Sequence, residues 1–245
     1  KGITSAPGLR QEGENLLIPM RDATTDELLL MSIQTITPSG IKWYAPGARA
    51  GGTRTVIGSE GFKQRYDAGE NPRLFIAEGW ATAATINAVT GDPCMCAFDC
   101  GNLMEVTKAT VERYPKATIV VCADNDRWSK NGKMRNAGAE HARAAAAAAG
   151  ALLAIPDFED MLPTEHPTDY NDLWQREGDE AVIKWLDPEM ADQAVTVAEP
   201  VEDGDEPDSN TSQGAEASVA PESEAEEVSK APIVDPGNPL ATARQ

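Results

Sequence analysis

Two short acidic signatures are the part of this sequence best suited to chemistry, because each one ends an apolar run of strand length. Residues 74–79 run from leucine to glycine and contain Glu78. Residues 118–126 end in Asp124 and Asp126, separated by one asparagine. Apolar runs of this kind are typical of central parallel strands, which are buried on both faces. The pattern therefore predicts carboxylates at the carboxyl edge of a sheet, where open α/β folds place their sites.

Three carboxylates at one sheet edge would repel one another unless a cation joined them. Ligands that are all oxygen favour a hard ion, most simply Mg²⁺ or Mn²⁺. The signatures therefore point to metal-assisted chemistry on phosphate esters. A structural interpretation stays open, in which Glu78 caps the helix that follows it and the two aspartates are turn or helix-start acids.

The elements that must position these acids alternate between strand and helix after residue 70. Such alternation predicts an α/β domain with a four-stranded, mostly parallel sheet and right-handed crossovers. The predicted strands are 74–78, 93–98, 118–124 and 152–155, and the predicted helices are 81–90, 103–114 and 136–149, the last with Asn136 as its cap.

A small β-rich module is predicted before this domain, over residues 1–72. Its strands are expected at 15–21, 28–37 and 41–44, with a hairpin turn at 38–40. From residue 42 to 65 the sequence has five Lys or Arg and one acid, which predicts a surface for a phosphate backbone or, alternatively, an ordinary solvated hairpin. The candidate nucleic-acid-binding residues are Lys42, Trp43, Arg49, Arg54, Lys63 and Arg65.

Charge is unevenly distributed along the 245 residues, whose formal net charge is −19. Residues 190–245 hold 13 acidic and 2 basic residues, whereas residues 1–73 hold 8 acidic and 9 basic residues. The last segment has too little apolar content to form a core, so we expect a disordered acidic tail over 190–245 and the α/β domain over 73–189. The absence of an initial methionine suggests a fragment of a longer polypeptide.

The sequence contains no signal peptide and no apolar stretch long enough to span a membrane, so we expect a cytoplasmic protein without a membrane partner. Its four cysteines are Cys94, Cys96, Cys100 and Cys122. Their spacing lacks the two paired knuckles of a zinc site, so we expect no zinc and interpret them as small buried apolar residues.

At this point the residues resemble the Toprim fold shared by bacterial primases, topoisomerases and some nucleases. Glu78 with its following glycine resembles the first Toprim motif, and Asp124-x-Asp126 followed by Arg127 resembles the second. The stretch 136–139 is similar to the opening of the next Toprim helix, and 168–173 is similar to a primase loop that supplies a further acid. The resemblance covers about residues 73–178.

The primase branch, including DnaG-type, plasmid-transfer and phage primases, matches best. A β-rich and locally basic module precedes the Toprim segment, as it does in primases. Residues 97–103 are also similar to the corresponding part of plasmid-transfer and phage primases. One departure is that the chain has no Cys/His set for a zinc-binding template-recognition module.

The resemblance implies roles for particular residues. It makes Glu78, Asp124 and Asp126 catalytic and metal-binding, with Asp169 and Asp172 as further metal ligands, although these last two could simply cap a helix. The implied substrate-binding residues are Asp99, Asn102, Arg127, Lys130, Lys133 and Arg135. Lys130, Lys133 and Arg135 stand in a segment that could instead be a plain exposed loop.

The function implied by the resemblance is that of a DNA primase, which makes short RNA primers on a single-stranded DNA template from NTPs. A replicative helicase or a relaxase, in the same polypeptide or a separate one, would be the partner. A Toprim nuclease that uses the same metal site is the first alternative. A non-catalytic nucleic-acid-binding or assembly module is the second.

Overall fold

A computed structural model describes residues 8–25, 29–126, 136–158 and 166–190. The strands are β1 Arg10–Glu12, β2 Asn15–Asp22, β3 Leu30–Ile36, β4 Lys42–Tyr44, β5 Thr53–Ile57, β6 Arg73–Ala77, β7 Cys94–Cys96, β8 Thr118–Cys122 and β9 Leu152–Ala154. The helices are α1 Phe62–Asp67, α2 Trp80–Thr90, α3 Leu103–Arg113, α4 Ala137–Ala149, α5 Tyr170–Glu177 and α6 Asp179–Trp185, with short 3₁₀ turns at Cys100–Asn102 and Pro188–Met190.

The second half of the sheet is parallel, in the order β7-β6-β8-β9. Each crossover between its strands contains a helix, and the buried strands β6 and β8 form its centre. This confirms the predicted fold class, an α/β Toprim-like sheet with flanking helices. Strands and helices lie within a few residues of their predicted bounds, because apolar strands and capped helices give strong local signals.

The N-terminal strands are antiparallel and continue the same sheet rather than standing beside it. Strand β5 joins the two halves, pairing with β2 on one side and antiparallel with β7 on the other. The predicted strands at 15–21, 28–37 and 41–44 are found as β2, β3 and β4. Sequence reasoning missed β1, β5 and α1, because each is short and β5 alternates threonine with arginine between glycine-containing turns.

The core fills both faces of the sheet with apolar side chains. Helices α2 and α5 pack on each other, and so do α3 and α4. The thiols of Cys94, Cys96 and Cys122 are free and buried, which confirms their predicted role as small apolar core residues. No helix in the described ranges combines the length and the apolar character that crossing a bilayer requires.

Candidate active site

The predicted acids converge at the carboxyl edge of the parallel strands. Strands β6 and β8 are direct neighbours, with Ala77 paired to Cys122, so Glu78 and Asp124 follow adjacent strand ends. A cleft of about 590 Å³ opens there, and its lining includes Glu78, Asp124 and Asp169. We call it the acidic cleft, lined by Glu78, Asp124 and Asp169, with Asp126 close enough for its charge to act on Glu78 and Asp124.

The surroundings of Glu78 raise its pKa strongly. Burial, followed by the nearby charges of Asp126 and Asp99, raises the pKa of Glu78 to about 7. The ammonium of Lys42 acts in the opposite direction but does not cancel these effects. A carboxyl group that titrates near neutrality can accept or release a proton at working pH.

Asp124 has a buried carboxylate oxygen, Oδ1, that no hydrogen-bond donor among the described residues satisfies. Burial, and then the charges of Glu78, Asp169 and Asp126, raise the pKa of Asp124 well above its ordinary value. A buried carboxylate oxygen without a donor is costly unless a cation or a proton satisfies it.

The loop that presents the aspartates is fixed by two asparagines. The Asn125 side chain is buried, donates to the Pro156 carbonyl at 2.8 Å and accepts from Asn136 Nδ2 at 2.6 Å. Asn136 Oδ1 in turn accepts from the Asp126 N–H at 2.9 Å and caps α4 by accepting from Ala139 at 3.2 Å. The predicted cap at Asn136 is therefore confirmed, and it also orients the acidic loop.

The backbone of Asn125 also connects this loop to the one that precedes α5. Its N–H donates to the Thr168 carbonyl at 2.7 Å, which holds Asp169 next to the acidic cleft. Sequence reasoning missed this role of Asn125. The only available signal was the amide between two acids, which alone does not show where its hydrogen bonds go.

Helix α4 approaches the acidic loop so closely that only glycine fits at position 138. A Cβ atom there would lie 2.6 Å from the Asp124 carbonyl oxygen and 3.1 Å from Asp126 Oδ2. The Gly138 N–H lowers the pKa of Asp126 by hydrogen bonding, against the larger effect of burial, which raises it. The start of the helix therefore directs its backbone donors at the second aspartate.

The two acids of the 168–173 loop differ in position. Asp169 is the N-cap of α5, accepting from the Asp172 N–H at 2.8 Å, and its charge raises the pKa of Glu78, Asp124 and Asp126. Asp172 Oδ2 accepts from the Thr168 N–H at 3.0 Å. Both acids therefore make the helix-capping contacts that were the alternative interpretation, and Asp169 in addition borders the acidic cleft.

The predicted substrate contacts Asp99 and Asn102 differ in exposure and in their hydrogen bonds. Asp99 is exposed, caps the short 3₁₀ turn through Gly101 and raises the pKa of Glu78. Asn102 is 5% exposed, and its amide accepts from Gly52 and donates to the carbonyls of Thr53 and Ala97. This geometry favours a structural role for Asn102, which joins β5 to the parallel half, over direct contact with a substrate.

Strand β4 brings a cation to the same cleft and contacts one of its aromatic lining residues. Lys42 is exposed, lines the acidic cleft and acts on the charges of Glu78 and Asp124. Tyr44 donates its hydroxyl to the Phe98 carbonyl at 3.1 Å. Phe98, which also lines the cleft, has a φ angle of 70°, a conformation that is unfavourable for an aromatic residue and that persists where contacts hold it.

The other predicted basic contacts are largely engaged within the protein. Arg49 pairs with Glu105, Lys63 with Asp67, and Arg65 with Glu70 and Asp92, and all of these pairs are at least partly exposed. Arg54 is 7% exposed, so it does not form part of an open DNA-binding surface as the sequence had suggested. Trp43 is 44% exposed and remains available for stacking. The residues Arg127, Lys130, Lys133 and Arg135 lie outside the described ranges.

The acids fit a divalent cation by chemistry, although they do not enclose one. No group of three His, Cys, Asp or Glu side chains in the described ranges is arranged to hold a metal ion. The orphaned Asp124 oxygen and the mutual repulsion with Glu78 and Asp126 are nevertheless what a hard cation would relieve.

Comparison with known proteins finds similarity to one domain family and to two longer proteins. The model of the Toprim domain family matches residues 73–180. The chain is 34% identical over 161 residues to a DNA primase TraC from Escherichia coli, covering 64% of this chain and 14% of that protein. It is 32% identical over 173 residues to another DNA primase TraC from Escherichia coli, covering 68% of this chain and 11% of that protein. The chain therefore spans only a small part of these relatives.

A solved structure with a similar chain course is the primase fragment of the bacteriophage T7 primase-helicase protein. It shares 13% identity and a TM-score of 0.46, covering 70% of this chain and 62% of that one. The match to the Toprim domain family model covers the parallel strands β6 to β9 and the acids of the cleft.

Proposed function

We propose that this chain is the catalytic part of a DNA primase, which synthesises short RNA primers on single-stranded DNA by Mg²⁺-dependent nucleotidyl transfer. The observation that carries the proposal is the buried Asp124 oxygen that lacks a donor and stands among three further carboxylates at the edge of a Toprim sheet. The names of the two relatives, both DNA primases, support nucleotidyl transfer as the reaction.

Glu78, Asp124 and Asp126 would hold the metal ion, with Asp169 as a further ligand from the α5 loop and Asp172 as a more distant candidate. A bound Mg²⁺ would neutralise phosphate charge and lower the pKa of the attacking hydroxyl. The hydrogen bonds of Asn125 and Asn136 hold the two aspartates in place before any substrate binds. This preorganisation matters because phosphoryl transfer depends mainly on positioning and electrostatics.

Glu78 has an alternative part in the proposal, as a proton acceptor in place of a metal ligand. In the metal-free protein its pKa is about 7, and a carboxylate of that basicity could take the proton of a primer 3′-hydroxyl and release it to water near neutral pH. A group with an ordinary glutamate pKa would be a much weaker base.

Positive side chains around the cleft would bind the NTP and the template. Lys42 borders the acids directly, so we assign it to the triphosphate or to the adjacent template phosphate. Trp43, next to it on β4, offers an exposed ring for base stacking. The proposal keeps Arg127, Lys130, Lys133 and Arg135 as triphosphate contacts, and a helicase or relaxase as the partner.

Primer extension tests the proposal without requiring a template-recognition module. The purified chain receives single-stranded DNA with a short annealed RNA primer, Mg²⁺ and labelled NTPs. A primase extends the primer, and the Asp124→Asn, Asp126→Asn double variant, which retains the shape of both side chains, does not. Metal-dependent shortening of the DNA with no NTP incorporation would instead identify the nuclease that shares this metal site.

A further inference from the structure

A second cleft lies where strand β2 changes its partner. Residues 15–17 of β2 pair with β1, and residues 21–22 pair with β5. Pro19 stands between these two pairings and has no N–H to offer a neighbour. An opening of about 340 Å³, which we call the slot, lies against this part of the strand. Its volume is within the usual range for small-molecule sites.

A buried arginine without a partner lines the slot. Arg54 is 7% exposed, and its guanidinium makes no hydrogen bond or ion pair with any residue in the described ranges. Burial lowers the pKa of Arg54 and the charge of Arg21 lowers it further, whereas Tyr114 and Asp22 act in the opposite direction. A buried guanidinium is costly to leave unpaired, and it presents donors in the fork geometry that fits a phosphate or carboxylate group.

The charged residues that line the slot also favour an anionic ligand. Its lining includes three basic residues and, among the described residues, no aspartate or glutamate, in a chain whose formal net charge is −19. The indole N–H of Trp80 is also buried without an acceptor in the described part of the chain. Arg54 and the Trp80 N–H are therefore donors without partners among the described residues, whereas Lys63, another basic residue of the lining, pairs with Asp67.

Flat apolar walls complete the slot. Phe62 and Tyr114 both line it and contact each other edge to face, with ring centroids 5.1 Å apart. Trp80 adds a third aromatic side chain. Donors for an anionic group beside aromatic walls match a ligand that carries both a phosphate and a planar ring.

We propose that the slot binds a free mononucleotide, with its phosphate on Arg54 and its base against the aromatic walls. The site requires no metal, and it does not depend on the proposed primase activity. Trp80 borders both the slot and the acidic cleft, and it follows Glu78 by two residues. Occupancy of the slot would therefore reach the catalytic edge of the sheet through the first turn of α2.

The test is a calorimetric titration with dTMP in EDTA, so that a metal cannot recruit the nucleotide to the acidic cleft. We expect the wild type and the Asp124→Asn, Asp126→Asn variant to bind dTMP equally well. Arg54→Gln removes the charge and should bind at least about tenfold more weakly. Arg176→Gln, at an exposed arginine of α5, should bind like the wild type. Equal binding by Arg54→Gln, or loss of binding in the aspartate variant, would overturn the proposal.

A stability measurement, one more variant and a DNA oligomer distinguish nucleotide binding from a structural role of Arg54 and from a DNA site. Arg54→Gln removes an unpaired buried charge, so its thermal midpoint without nucleotide should equal or exceed that of the wild type, and a clear fall would make Arg54 a structural residue instead. Trp80→Phe keeps a ring but loses the N–H, and it should weaken dTMP binding several-fold. A dT hexamer that binds through Arg54 while dTMP does not would assign the slot to a DNA strand and contradict the free-nucleotide site.

Discussion

The two halves of the sheet differ in whether their charged side chains are paired with opposite charges. In the parallel half, Glu78, Asp124 and Asp126 crowd together, and their pKa values rise because they are buried and their charges are not compensated. In the antiparallel half and the segment that follows it, most of the basic residues predicted to contact DNA pair with acids of the same chain. The parallel half therefore holds a cluster of uncompensated charges, whereas most of the basic residues in the antiparallel half are paired, with the buried Arg54 of β5 as the exception.

This difference indicates how much each half must rearrange in order to bind a ligand. Uncompensated charge that is held in place by hydrogen bonds stabilises the bound state at the expense of the free protein. Exposed ion pairs contribute little to stability and open readily when a phosphate competes for the base. The acidic cleft is therefore preorganised, while nucleic-acid contacts at Arg49 or Lys63 would require exchange of partners.

Removing the asparagine that fixes the acidic loop should have the largest effect on stability. Asn125→Ala leaves the Pro156 carbonyl and the Asn136 amide without their partner, in a buried setting. We expect a loss of about 2–3 kcal/mol in the free energy of unfolding, measured in urea, together with loss of primer extension. Gln175→Ala, which removes the hydrogen bonds of Gln175 to the carbonyl and side-chain oxygens of Asn171 on α5, should leave extension intact. Similar loss in both variants would mean that general destabilisation explains the result.

Filling the space at position 138 should be nearly as damaging. The new Cβ of Gly138→Ala would meet the Asp124 carbonyl, which is backbone and cannot rotate away. We expect a loss of about 1–3 kcal/mol in unfolding free energy and weaker metal binding. His141→Ala, an exposed position on the same helix, is the matched control. A fully stable and active Gly138→Ala protein would show that α4 can move away from the loop.

The burial and charge crowding in the acidic cleft predict that, without metal, the free energy of unfolding depends unusually on pH. The folded state holds the Glu78 proton up to about pH 7, whereas an unfolded chain releases it near 4.5. Because the unfolded state binds fewer protons in this window, stability should fall as pH rises from about 4.5 to 7, by up to about 3 kcal/mol. Urea unfolding in EDTA measures this slope, which Glu78→Gln should flatten. A wild-type stability that rises through the same window would contradict the charge crowding.

The basic residues should give the smallest effects. Arg49→Ala should change the free energy of unfolding by less than about 0.5 kcal/mol, because its pair with Glu105 is exposed and 3.5 Å long. Lys42→Ala, which removes the cation that borders the acids, should weaken single-stranded DNA binding and reduce the salt slope by about 1. Fluorescence anisotropy with labelled single-stranded DNA at several salt concentrations compares the DNA affinity of the Arg49→Ala and Lys42→Ala variants. A larger effect at Arg49 than at Lys42 would move the DNA path away from the cleft.

The parallel half could be predicted well from the sequence because its signals are local. Apolar runs gave the strands, and the spacing of Glu78 and Asp124 required their strands to be neighbours for the acids to meet, as they are. The cap at Asn136 followed from residue type and position. Each of these features depends on the chain within a few residues, where periodicity and capping rules are strongest.

The antiparallel half was harder to predict because its outcome depends on long-range contacts. Nothing near Arg54 in the sequence reveals that β5 lies between β2 and β7 and buries that side chain. The roles of Asn102 and Asn125 are likewise set by partners 5 to 50 residues away. Local composition indicated basic character, but it could not distinguish an exposed surface from internal pairs.

Metal binding by the acidic cleft is tested most directly by thermal unfolding with and without Mg²⁺ or Mn²⁺. A ligand that binds only the folded state raises its midpoint, so the wild type should shift upward on addition of metal. The Asp124→Asn, Asp126→Asn variant should not shift, and without metal it should unfold at a higher temperature than the wild type, since repulsion is relieved. An equal metal-induced shift in both proteins would contradict the assignment of these acids as the metal site.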